Sequence, residues 1–98
     1  MIVNLIETTA VFERWLSGLK DRQAAARVAV RISRAEQGNF GDTAPVGEGV
    51  SEMRIHYGPG YRVYFKQTGD KVFIILAGGD KRSQAQDIQT ALSMAREL

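Results

Sequence analysis

The chain has 98 residues, 44% hydrophobic and 24% charged, a size and composition that suit one folded domain with one modest core. It has no cysteine and one histidine, which excludes disulfides and thiolate metal sites and leaves a zinc site short of ligands, so no metal or other cofactor is expected. A formal charge of +2 permits contact with nucleic acid without requiring it.

The N-terminal "MIVNLIE" is a short apolar run that reads as a strand. No positive side chain precedes its apolar residues and no small-residue cleavage site follows, so it does not read as a secretory signal. The longest apolar run, "VFIILA" from Val72 to Ala77, is far short of the roughly 20 residues that span a bilayer. A cytoplasmic protein without membrane contact is expected. Thr8 and Thr9 are candidate caps for a helix whose Phe12, Trp15, Leu16 and Leu19 form one apolar stripe. Asp21 caps a second helix, with Ala25, Val28, Ala29, Ile32 and Ala35 on its buried side. The two helices read as an antiparallel pair joined around Lys20 and Asp21.

Four glycines and a proline in "GNFGDTAPVGEG", Gly38 to Gly49, predict a loop. Alternation then predicts a strand with Met53, Ile55 and Tyr57 on one face and Glu52, Arg54 and His56 on the other. After Gly58-Pro59-Gly60 a second strand sets Tyr61, Val63 and Phe65 against Arg62, Tyr64 and Lys66. "TGD" at Thr68 to Asp70 reads as a turn. "KVFIILAGGD" is apolar at almost every position, as expected of a central strand covered on both faces. Ser83 and Gln86 fit a capping box, and Ile88, Leu92 and Ala95 give a last helix its apolar side. The order β-α-α-β-β-β-α predicts a single α+β domain over 1–98, its helices packed on one face of a largely antiparallel four-stranded sheet.

Loop length decides which faces of the hairpin coincide. A two-residue loop would mix polar and apolar faces, whereas a three-residue loop of Gly58, Pro59 and Gly60 separates them. That register pairs Tyr57 with Tyr61, His56 with Arg62, Arg54 with Tyr64 and Glu52 with Lys66. One face is then core, and the other gathers Glu52, Arg54, His56, Arg62, Tyr64 and Lys66 into one patch. From Glu52 to Arg82 six Lys or Arg stand against three acids, so the segment is basic. Arg27, Arg31 and Arg34 make a second basic stripe along the second helix, at roughly 3.6 residues per turn. Lys81 and Arg82 close the central strand. The same polar face is also what the solvated side of an ordinary hairpin looks like, with Glu52 and Lys66 as a surface ion pair.

"EMRIHYGPGYRVYF", followed by "VFIILAGGDKRSQAQDI" and a closing helix, resembles the phage-derived addiction-module killer proteins, a HigB-like branch of the RelE/ParE toxin superfamily. The resemblance runs from the first helix through the last. It implies a RelE-like fold, a cognate antitoxin of helix-turn-helix type, and a toxin of a type II toxin-antitoxin system that inhibits translation by cutting mRNA on the ribosome. ParE-type relatives share the scaffold and inhibit DNA gyrase without catalysis, so the fold does not choose the activity. In "GYRV", Arg62 resembles the arginine that RelE-like nucleases set on the scissile phosphate. Arg54 stands where such toxins often keep a basic residue, and Glu52 resembles the general base of some relatives. The C-terminal tyrosine or histidine of the wider family has no counterpart here.

Metal-free RNA cleavage needs a base for the 2′-OH, cations for the phosphate and an acid for the 5′ oxygen. The candidates are Glu52 or His56 as base, Arg54 and Arg62 on the phosphate, and Lys81 or His56 near the leaving oxygen. Tyr64 would stack on a base of the message, with Lys66, Arg27, Arg31 and Arg34 as further RNA contacts. "GPG" and "AGGD" lack the spacing of a P-loop or a dinucleotide fingerprint.

Overall fold

The computed structural model describes residues 2–98; Met1, the first residue of the predicted N-terminal strand, lies outside them. The opening strand is β1 (Leu5–Thr8), and Thr9 follows it as the cap of α1 (Ala10–Ser17). The Thr9 hydroxyl accepts from the Phe12 N–H at 3.1 Å and donates to the Leu76 carbonyl at 2.6 Å, so one side chain starts the helix and ties it to the sheet. Asp21 caps α2 (Arg22–Glu36), one carboxylate oxygen accepting from the N–H groups of Gln23 and Ala24. The remaining elements are β2 (Thr43–Gly47), β3 (Val50–Ile55), β4 (Tyr61–Gly69), β5 (Val72–Asp80), a 3-10 turn (Lys81–Ser83) and α3 (Gln84–Arg96). Ser83 does not form the predicted capping box; its hydroxyl donates to Asp87 instead, at 2.5 Å.

The sheet has five strands rather than four, in the order β1-β5-β4-β3-β2, and it is mixed, because β1 runs parallel to β5 while every other pair is antiparallel. The extra strand is β2, inside the segment that glycine and proline mark as loop. Pro45 is tolerated there because β2 is an edge strand, where a missing N–H need not break a ladder. Glu48 and Gly49, both at positive φ (54° and 81°), turn the chain directly into β3.

The expectation of helices on one face is also overturned. α1 and α2 cover one face, where Phe12, Ala24, Val28 and Ala35 pack on Met53, Ile55, Tyr61, Val63, Phe65 and Ile75. α3 covers the other, packing Ala91, Leu92 and Ala95 on Val50, Tyr64 and Leu76. Helical periodicity gives a helix its apolar side but not the sheet face that side will meet. The glycine pair of "AGGD" lets both layers close on β5. A Cβ at Gly78 would lie 2.4 Å from the Trp15 ring of α1, and one at Gly79 would lie 1.8 Å from the Asp87 carboxylate of α3.

The hairpin register differs from the expected one by two residues. Ile55 pairs with Tyr61, Arg54 with Arg62, Glu52 with Tyr64 and Val50 with Lys66, so the connection is His56 to Gly60. A shift of two preserves parity, and both strands keep their predicted faces. Tyr57 explains the longer loop. Its hydroxyl donates to Asp21 at 3.0 Å and lies 3.2 Å from the Gln23 side-chain oxygen, and its ring lies 4.5 Å from the Arg27 guanidinium carbon. These contacts draw Tyr57 toward the start of α2, and the Gly60 N–H donates to the Tyr57 carbonyl (3.0 Å) to close the turn.

Candidate active site

At the loop end of the hairpin a cleft of about 420 Å³ is bordered by Arg54, His56, Tyr57, Tyr61, Arg62 and Lys81. Three of these, Arg54, Tyr61 and Arg62, come from facing strands, His56 and Tyr57 from the five-residue connection, and Lys81 from the turn that follows β5. The cleft therefore depends on the β3-β4-β5 order and on the two-residue slip that lifts His56 out of the ladder.

Glu52 lies beneath the arginines and is only 3% exposed. One carboxylate oxygen accepts from Arg54 Nε at 2.9 Å; the other lies 3.6 Å from Arg62 Nε and accepts from Gln84 Nε2 at 3.2 Å. It is an anchor for two guanidinium groups and for the first residue of α3. The Glu52 hydrogen bond holds the Arg54 guanidinium above its already high pKa. Lys66 is not its partner: it sits opposite Val50 with its stem against Gly49, away from the cleft.

Tyr64 is fully buried under α3, so no ring face remains for a nucleobase. Burial, with the Glu52 and Asp87 carboxylates nearby, pushes its phenol up to about 12. Its hydroxyl and Arg62 Nε are both enclosed with no hydrogen-bond partner among the described residues.

His56 extends into solvent, its side chain 77% exposed, and its Nε2 lies 2.6 Å from an Asp42 carboxylate oxygen. The other Asp42 oxygen is 3.8 Å from Arg54. The hydrogen bond from His56, assisted by the Arg54 charge, holds the Asp42 carboxyl below its usual range. Sequence reasoning missed Asp42. It is the one acid between Glu36 and Glu48, but 14 residues separate it from His56, and only the folded loop brings the two together.

The second basic stripe divides by contact. Arg31 donates to the carbonyls of Phe40 (2.9 Å), Asp42 (3.3 Å) and Arg54, and so clamps the loop before β2 onto β3. Arg27 lies over Tyr57. Arg34 is exposed beside a second groove of about 480 Å³ that shares His56 and Tyr57 with the first.

No protein-family model matches the sequence. The chain is 47% identical over 93 residues to an uncharacterized protein of Haemophilus influenzae, in an alignment covering 95% of this chain and 94% of that one. The chain belongs to the same family as this Haemophilus protein. Among the described residues no cluster of three His, Asp or Glu is placed to hold a metal ion, and no helix is long and apolar enough to cross a membrane.

Proposed function

We propose that this chain is the toxin of a type II toxin-antitoxin pair, a RelE-like domain that cuts mRNA on the ribosome in the cytoplasm without a metal. The observation that carries the reading is the convergence of Arg54, Arg62, Lys81 and an exposed imidazole, His56, on one open cleft. Guanidinium groups suit a phosphate diester because they stay charged and present paired N–H donors. Arg54 is hydrogen-bonded to the buried Glu52 carboxylate and Arg62 is ion-paired with it at 3.6 Å, so the carboxylate orients both before RNA arrives.

In this mechanism His56 takes the proton from the 2′-OH, and the 2′ oxygen attacks the adjacent phosphorus. Arg54 and Arg62 stabilise the added charge on the phosphoryl oxygens. The bond to the 5′ oxygen breaks as Lys81 gives it a proton, leaving a 2′,3′-cyclic phosphate and a 5′-hydroxyl. Glu52 acts as anchor rather than base, since its carboxylate is enclosed and already engaged. The stacking role expected of Tyr64 falls to Tyr57, which is half-buried at the cleft rim. A helix-turn-helix antitoxin and the ribosome are the partners of this reading.

Induced expression should arrest growth, and purified protein should cut message in a translation extract, with Arg62→Ala and His56→Ala both inactive. Intact message together with gyrase trapped on DNA would replace the nuclease with a ParE-type inhibitor. Normal growth on expression, with intact message and free gyrase, would remove the toxin reading altogether.

A further inference from the structure

We propose that Asp42 is a positioning residue for His56, holding the imidazole with its Nε2–H toward the carboxylate and leaving Nδ1 as the nitrogen that accepts a proton. The catalytic consequence rests on the nuclease reading above; the pairing itself does not. A carboxylate can only accept, so an Nε2 that lies 2.6 Å from Asp42 must carry the hydrogen, and the neutral ring then has its lone pair on Nδ1. A side chain as exposed as His56 has no packing to fix its ring. Asp42 supplies the missing constraint.

The loop around Asp42 is held for this purpose from several sides. Arg31 of α2 donates to the carbonyls on either side of Gly41 and to the Arg54 carbonyl on β3, and the Arg54 N–H donates to the Asp42 carbonyl at 2.9 Å. Gly41 makes this approach feasible, because its φ is +68° and a Cβ there would fall 2.8 Å from Arg31 Nη2. The charged groups around the pair are Arg54 from β3 and Arg31 from α2, with Arg62 and Lys81 bordering the cleft and Arg27 and Arg34 along the adjoining groove. All are cations, so Asp42 is the one carboxylate in contact with His56 among the described residues.

The experiment is nitrogen-15 NMR of the imidazole, unambiguous because His56 is the single histidine, in the native chain and in Asp42→Asn and Asp42→Glu. It is paired with single-turnover message cleavage and with binding of a message carrying a 2′-deoxy sugar at the cut. The native ring should show the Nε2–H form. Asp42→Asn, whose amide can donate to Nε2, should shift it toward the Nδ1–H form, slow cleavage about 10-fold or more and leave RNA affinity within about twofold. Asp42→Glu should recover part of both signals. Unchanged tautomers in Asp42→Asn overturn the pairing, whatever the RNA does. A tautomer shift with undiminished cleavage overturns the positioning role and leaves the nuclease standing. A tautomer shift in Asp42→Asn beside a native chain that cuts no RNA keeps the pair, but overturns both the nuclease reading and the catalytic role of Asp42.

Discussion

Glu52→Gln separates an anchor from a base. The substitution keeps the shape of the side chain and removes its charge, leaving Arg62, whose side chain is 17% exposed, without the carboxylate it leans on. Removing one partner of a buried ion pair costs about 3–5 kcal/mol; the amide oxygen can still accept a hydrogen bond and Arg62 is not fully enclosed, so about 2–3 kcal/mol is expected. For a domain of this size each kcal/mol moves Tm by about 4–8 °C, so the melting point should fall by roughly 8–24 °C. Urea titration followed by fluorescence of Trp15, the single tryptophan, reads the same change, since its ring packs between Phe12 and Tyr61. A variant within about 0.5 kcal/mol of the native chain would refute the anchor role. If that stable variant had also lost cleavage, the proton chemistry would belong to Glu52 instead of His56.

Gly78→Ala should destabilise by about 1–3 kcal/mol or more, because its Cβ meets the Trp15 ring at 2.4 Å; a native-like urea midpoint would show that α1 does not close on β5 as described. Tyr64→Phe should leave stability unchanged or raise it by about 1 kcal/mol, because the buried hydroxyl has no partner among the described residues, and should leave cleavage intact. A loss of stability would reveal a hydrogen bond. With its folded pKa raised, the Tyr64 phenol adds no pH dependence below about pH 10, the unfolded value, and lowers stability progressively as the pH climbs from there through about 12. Tyrosinate absorbance should therefore show a tyrosine ionising near pH 12 that Tyr64→Phe removes, beside Tyr57, whose hydrogen bond to Asp21 also raises it and which the substitution leaves in place.

The two helices before the hairpin were legible because each carries an apolar stripe and a side chain that caps it, Thr9 and Asp21. The faces of β3 and β4 were legible from parity alone, since any odd loop separates the same residues. The register was not, because Tyr57 reaches Asp21 and Gln23, contacts that connect residues more than 30 apart in the chain. β2 was hidden by Gly and Pro, which mark loops in the chain interior but are also admitted on an edge. Tyr64 and Glu52 read as exposed because nothing in α3 says which sheet face it covers. The residues that line the cleft, Arg54, His56, Arg62 and Lys81, could be proposed as a group because strand alternation and the end of β5 bring them to one place. Asp42 could not, because a glycine-rich loop has no period from which to infer what it touches.

The most direct test of the nuclease reading is to map message ends after adding purified native chain, Arg62→Ala or His56→Ala to a translation extract. The account predicts new ends on translated message with the native chain alone, each upstream fragment closing in a 2′,3′-cyclic phosphate. Intact message with the native chain, or equal cutting by both variants, would contradict it.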